Sequence, residues 1–392
     1  MTEVVIAAAK RTAIGSFQGA FTGVPSTELG STAIAAAMAS AKLDGDQVSE
    51  VIMGCVLPAG LGQAPARQAA LGAGIPLGAG CTTINKVCGS GMKAIMLGHD
   101  LIKAGSAKVV IAGGMESMTN APYLMPGARG GYRMGDQKVL DHMMYDGLVN
   151  PYDGQAMGVF GESCVEKYGF TREEQDAFAE ASASRAQTAL AEGRFAEEVA
   201  AVTVKTRKGE VVVDQDEEPG RIDLARIPSL KPAFKRDGGT ITAASSSKIS
   251  DGAAATILLG AEHAAELGIK PLAHIVAHAS HAQEPAWFTT APIGALQSVL
   301  NKAGWTVDEV DLFEINEAFA VVAMAPMREL GIPHDKLNVN GGACALGHPI
   351  GASGARIVVT LLHALKQRGG KRGIASLCIG GGEATAIAVE LL

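Results

Sequence analysis

Residues 88–117, CGSGMKAIMLGHDLIKAGSAKVVIAGGMES, decide the fold, because residues 347–392, GHPIGASGARIVVTLLHALKQRGGKRGIASLCIGGGEATAIAVELL, follow the same plan. Each begins with a residue able to do chemistry and a Gly/Ser-rich turn containing Ser-Gly. A helix, a basic glycine-containing hairpin, and a strand running into consecutive glycines and a glutamate follow. Ser90-Gly91 aligns with Ser353-Gly354, and Gly113-Gly114 with the run Gly380 to Gly382. Self-similarity on this scale predicts a duplicated α/β domain. If the copies pack about a pseudo-twofold axis, their strand-to-helix turns meet, and Cys88 faces His348.

The flanking sequence fits that plan. EVVIAAA (3–9) reads as a buried strand and STELGSTAIAAAMASAKL (26–43) as a helix capped by Ser26 or Thr27. EVIMGCVLP (50–58) reads as a second strand, and KVVIAGGMESM (108–118) as a third that ends on its paired glycines. The helix between them is expected to open at Cys88 and close at Gly105. From about Thr119 to Ile249 the texture changes to the Gly- and Arg-rich MPGARGGYRMGD (125–136), a polar helix with a Thr171–Glu174 capping box, and turn-rich stretches. This region reads as an insertion carrying binding surface. The expected division is 1–118 with 250–271 as one half, 119–249 as the insertion, and 272–392 as the other half.

Composition narrows the class. Of 392 residues, 47% are hydrophobic and 49 are glycine, which suits an α/β protein whose layers approach closely. A net charge of −7 without a long basic run excludes a nucleic-acid surface, although a local basic patch for an anionic ligand remains open. No apolar run is long enough to span a bilayer. The charged opening residues do not make a signal peptide, so a cytoplasmic setting is expected. Six scattered cysteines without a CxxC pair suggest neither a zinc site nor a disulfide framework.

Four residues carry chemistry in this reading. Cys88, at a helix start, is expected to favour its thiolate through the positive end of the helix dipole. Alone it reads as a small thiol at a tight turn; opposite His348 it becomes a nucleophile with a base. Pro349 holds His348 in extended geometry. Cys378 ends an apolar strand before three glycines whose N–H groups could stabilise an oxyanion. Asn316 could hold a water or serve only as a helix cap. His274, His278 and His281 look like a metal run, but no carboxylate or cysteine stands beside them in sequence, so no metal is assigned. His99 and His363 read as packing or surface residues. GGMESM and SDGAAATILLG read as tight turns beside buried strands.

Over essentially its whole length the chain resembles the thiolase family. The matching stretches include GQAPARQAALGAGIP, NKVCGSGMKA, GGMESMTNAPY, KYGFTREEQDAFA, SDGAAA, NEAFA, GGACALGHPIGASGAR and CIGGGEA. The resemblance implies two βαβαβαββ halves in a five-layered αβαβα core with an inserted loop domain. It implies Cys88 as the acylated nucleophile, His348 as its activator, and Cys378 as the proton shuttle at the α-carbon of a second acyl-CoA. It also implies one oxyanion hole from His348 and an Asn316-held water, and another from the backbone N–H groups of Cys88 and Gly380. Ser247 falls where family members bind pantetheine, and Ala243, Met157, Ala318 and Phe319 where they line its tunnel. Arg221, Lys231, Lys235, Arg236 and Lys248 are candidates for the phosphates. Where many short-chain members carry Met-Gly-x-Gly-Pro, this chain has WFTTAP (287–292), and Phe288 takes the place of a methionine near the acyl group.

What this implies is an acetyl-CoA C-acetyltransferase acting on acetyl-CoA, acetoacetyl-CoA and CoA, with no bound cofactor, in a homotetramer. A 3-ketoacyl-CoA thiolase of broader chain length is the alternative. β-Ketoacyl synthases share the fold but pair their cysteine with two histidines, and CIGGGEA has a cysteine instead. A non-catalytic acyl-CoA binder would not need all four reactive residues.

Overall fold

A computed structural model describes residues 2–392. Nine strands carry the main sheet: β1 (Val4–Thr12), β2 (Glu50–Gly54), β3 (Gly80–Ile84), β4 (Val109–Ser117), β5 (Ser250–Gly260), β6 (Ala273–Ala282), β7 (Leu312–Ile315), β8 (Arg372–Ile379) and β9 (Glu383–Leu391). Their order is β7-β8-β9-β6-β1-β5-β4-β2-β3, with two short strands paired at the flanks. From the middle outward the order repeats. β1, β5 and β4 are antiparallel neighbours continued by parallel β2 and β3; β6, β9 and β8 are antiparallel neighbours continued by parallel β7. In the second half, the place of β3 is taken by a single parallel bridge between Phe313 and Leu337. The halves join through a short β1–β6 pairing at Val5–His274 and Ile6–Ala273.

The main helices are α1 (Ser26–Ala41), α2 (Pro65–Gly72), α3 (Ser90–Lys103), α4 (Met157–Tyr168), α5 (Arg172–Ala191), α6 (Ala291–Ala303), α7 (Ala320–Leu330) and α8 (Ile350–Arg368). α3 and α8 pack on each other and on strands of both halves. α1 and α2 cover the outer face of the first half, and α6 that of the second. Three apolar cores fill these spaces, one around α1 and α2, one around α3 and α8, and one joining α4, α6 and α7. β4, β5 and α8 up to Leu365 are buried almost throughout, because their runs of Ala, Gly, Val, Ile and Leu face neighbours on both sides.

Several local expectations change. Gly113 and Gly114 do not end a strand: β4 runs on to Ser117. Their bareness serves close approach instead, since a Cβ on Gly113 would lie 2.0 Å from the Ala254 carbonyl and one on Gly114 2.0 Å from the Gly351 carbonyl. GGMESM and SDGAAATILLG are buried strand with their carboxylates inside the protein, not tight turns. Helix α3 opens at Ser90, two residues after Cys88, because Val87 takes a left-handed φ of 46° and interrupts the helical path.

The 119–249 segment contributes α4, α5 and small hairpins. Thr171 caps α5 reciprocally with Glu174. The segment is pinned to the first half by the fully buried Arg11, whose guanidinium meets Glu198 at 2.6 Å and Asp216 at 2.7 Å. The buried Glu317 ties α5 to NEAFA, accepting from Ser182 Oγ at 2.7 Å, Asn338 Nδ2 at 2.7 Å and Cys344 N at 3.1 Å.

Candidate active site

The two Ser-Gly turns meet. A Cβ on Gly91 would strike Ala355 N at 2.7 Å, and one on Gly354 would strike Met92 N at 2.4 Å. The helix starts therefore cross backbone to backbone in a reciprocal contact. Gly114 and Gly54 extend it, since both approach the Gly351 carbonyl. This contact brings the Cys88 turn and the His348 turn to one place.

The third group arrives from the β8–β9 hairpin. Gly89 is bare because Ile379 Cδ1 sits 2.3 Å from where its Cβ would be. Lys86 donates its ammonium to the Glu383 carboxylate, fastening the Cys88 turn to the far side of the hairpin. Gly381 and Gly382, with φ of 95° and 88°, make the turn. The backbone N–H groups of Gly380 and of Cys88 itself both act on the Cys88 thiol. Met157 Cε and Val87 Cγ1 close the space beside Gly380.

His348 is buried and held. Its Nδ1 lies 2.5 Å from Ser353 Oγ, and that hydroxyl spends its proton on the Pro349 carbonyl at 2.9 Å. Nδ1 is therefore the donor, and Nε2 is left with a free lone pair. Nε2 has no hydrogen-bond partner in the protein, and neither polar atom of the fully buried Asn316 side chain has one. Backbone bonds fix both residues, Asn316 N to Ser376 O at 3.0 Å and His348 N to Lys248 O at 2.9 Å. Buried polar groups are ordinarily paired. A cluster of unpaired acceptors and donors here fits a substrate oxygen and a water.

Electrostatics correct one expectation. Cys88 does not rest as a thiolate. Burial pushes its thiol up to about 11, against the opposing pull of the Gly380 and Cys88 N–H groups. The residue is half-buried, so water on its open side tempers that rise. Burial, and then the Arg356 charge, lowers His348 to about 3. The resting pair is thus neutral thiol and neutral imidazole. Burial also raises Cys378, followed by the nearby Cys88.

The role of one residue escaped the sequence reading. Glu116, fully buried at the end of β4, accepts from Val56 N at 3.0 Å, Leu57 N at 3.1 Å and Gly351 N at 2.8 Å. Burial lifts its carboxyl to about 7 despite those donors. It fastens the start of α8, and so the His348 turn, to the half that carries Cys88. A glutamate within a fully apolar strand was the available signal.

The remaining residues divide. A cavity of about 250 Å³ is lined by Ala243, Arg221, Lys248, Arg226, Ile227 and Leu230, among others. Arg226 was not foreseen. Lys248 lines this cavity while two of its three N–H donors reach the carbonyls of Ala243 and Ser246 and close that loop. Lys235 pairs with Glu166 at 2.7 Å, while Lys231 and Arg236 are exposed and lie outside the cavity. Ser247 donates its N–H to Ala318 O at 3.0 Å. Phe319 meets Phe234 edge-on, and Phe288 meets Phe160 edge-on at 6.4 Å. Phe288 is buried in the core that also holds Cys378 and Ala318.

Comparison with known proteins agrees with this geometry. Residues 4–262 match the family model of the thiolase N-terminal domain, and residues 269–391 that of the C-terminal domain. An acetyl-CoA acetyltransferase of Pseudomonas aeruginosa is 50% identical over 389 residues, covering 99% of both chains. Acetyl-CoA acetyltransferase 1 of Arabidopsis thaliana is 50% identical over 392 residues, covering 100% of this chain and 94% of its own. The crystal structure of a thiolase from Ascaris suum in complex with coenzyme A superposes with a TM-score of 0.94 at 44% identity, covering 100% of each chain. With both domains matched and full-length relatives at half identity, the chain belongs to the thiolase family.

Proposed function

We propose that this chain is an acetyl-CoA C-acetyltransferase, joining two acetyl-CoA into acetoacetyl-CoA and CoA, and the reverse. What supports the residue assignments is that the Cys88 and His348 turns meet backbone to backbone, that two backbone N–H groups act on Cys88, and that His348 Nε2 and the Asn316 amide are buried without partners. His348 Nε2 takes the Cys88 proton while sulfur attacks the acetyl carbonyl. The carbonyl electrons move to oxygen and return as the C–S bond to CoA breaks, and His348 protonates the departing CoA sulfur. Cys378, once its thiol proton has passed to solvent, removes an α-proton from the second acetyl-CoA, whose enolate oxygen lies toward His348 and the Asn316-held water. The α-carbon attacks acetyl-Cys88, and the resulting oxyanion faces the N–H groups of Cys88 and Gly380. Collapse frees the Cys88 sulfur, which takes from Cys378 the proton drawn from the α-carbon, and Cys378 regains its own from solvent. Raised thiol pKa values suit this step, because a thiolate that binds protons tightly is the stronger base toward a weakly acidic C–H.

Arg221 and Arg226 at the cavity mouth supply the cationic surface for the CoA phosphates, with Ala243, Ser247, Met157, Ala318 and Phe319 along the pantetheine. Phe288 favours short acyl groups. The chain assembles as a homotetramer, for which the exposed Met134, Tyr123, Met125 and Val139 on and beside the 125–136 arm provide apolar contact. It works in the cytoplasm within fatty acid metabolism; its six unpaired cysteines suit a reducing compartment. Thiolysis rates on 3-ketoacyl-CoAs of increasing length test the substrate assignment. Activity should be greatest on the four-carbon substrate, and rates that rise with chain length would favour the broader 3-ketoacyl-CoA thiolase.

A further inference from the structure

Far from the Cys88 turn, at the other end of α3, two imidazoles converge on one carboxylate oxygen. Asp100 Oδ1 lies 2.9 Å from His99 Nδ1 and 2.9 Å from His278 Nε2, and the two nitrogens are 3.2 Å apart. The rings stand nearly perpendicular, at 89°. His99 and Asp100 come from α3, in the first half; His278 comes from β6, in the second. In sequence His278 has no acidic neighbour, and the fold supplies one from 178 residues away.

We propose that His99, Asp100 and His278 bind one divalent transition-metal ion of the zinc type, clasping α3 to β6. An ion about 2.1 Å from all three atoms fits above their triangle with ligand angles of roughly 90–100°, the face of an octahedron or a flattened tetrahedron. Two imidazole nitrogens and a carboxylate form the borderline donor set that such ions prefer to calcium or magnesium. Without an ion, the three atoms cannot all be well paired: either two N–H groups face each other at 3.2 Å, or an unprotonated ring nitrogen faces the carboxylate oxygen at 2.9 Å. Asp100, half exposed, leaves a path from solvent for the ion and its waters. Lys93, Lys103 and Lys302 act against the cation, Lys302 through a bond to the His278 carbonyl, and so limit the affinity.

Calorimetric titration with zinc chloride tests the proposal, using full-length protein alkylated at Cys88 so that the reactive thiol does not take the metal. One ion should bind per chain and raise the unfolding temperature progressively with the logarithm of free zinc above its Kd. Asp100→Asn, a half-exposed and nearly isosteric change, and His278→Gln should each weaken binding more than about tenfold. Both variants should keep wild-type far-UV circular dichroism and, before alkylation, wild-type acetyl-enzyme formation. Absence of stoichiometric binding to the parent, or equal affinity in Asp100→Asn, overturns the site.

Discussion

The turns at Cys88 and His348 occupy equivalent places in the two halves, yet they are built to opposite ends. The Cys88 turn strains its backbone at Val87, delays its helix by two residues and leaves an amide free beside the thiol. The His348 turn uses side chains, locking one ring nitrogen onto Ser353 so that the other stays a base. Duplication thus produced one turn that offers main-chain donors and one that offers an oriented acceptor. Burial then pushed the thiol up and the imidazole down, keeping both neutral until substrate arrives.

The largest effect should come from removing what only one turn has. Cys88→Ala is expected to abolish the acetyl-enzyme seen by intact mass after incubation with acetyl-CoA, with a loss of turnover of at least roughly a thousandfold. Cys378→Ala should still acylate at Cys88 yet lose condensation; equal loss of both steps would break the division of labour.

Next comes the lock on the other turn. Ser353→Ala frees the ring to change tautomer and should lower kcat about 10- to 100-fold with a smaller change in KM, as loss of an orienting partner does. A KM effect alone would mean that Ser353 serves packing rather than the base.

The contact between the turns is tested by Gly114→Ala. Its methyl would meet the Gly351 carbonyl at 2.0 Å, and a destabilisation of about 3 kcal/mol by denaturant unfolding is expected.

The smallest effect concerns charge. With the thiol raised and the imidazole lowered, neither partner changes its protonation state near neutrality. Iodoacetamide inactivation of the free protein should accelerate with pH and show no plateau below about pH 9. A plateau near pH 6 to 7 would reveal a resting thiolate–imidazolium pair.

Much of this was legible in the sequence because duplication writes it twice. The Ser-Gly repeats pointed to the meeting of the Cys88 and His348 turns, the local sequence already marked Cys378 and Asn316, and resemblance added Gly380 and a role for each. What stayed hidden depends on partners distant along the chain. Gly113-Gly114 read as a turn, since nothing nearby says that another backbone presses on them. Glu116 was seen only as the glutamate that closes the repeat, without a role, because its partners, Val56, Leu57 and Gly351, come from two other segments. That Lys248 also closes its own loop, through the carbonyls of Ala243 and Ser246, is likewise visible only in the fold. Helix-dipole reasoning favoured the Cys88 thiolate, and desolvation, a property of the folded interior, outweighed it.

The bare backbone at Gly54, Gly91, Gly114 and Gly354 works as a machinist's datum surface. Where side chains set the distance between two bodies, every substitution in the flanking cores is transmitted as drift. Where main chain rests on main chain, tolerance is fixed by covalent geometry, which substitution does not alter. The apolar cores on either side are therefore free to vary in sequence over evolutionary time while the nucleophile and its base keep their registration.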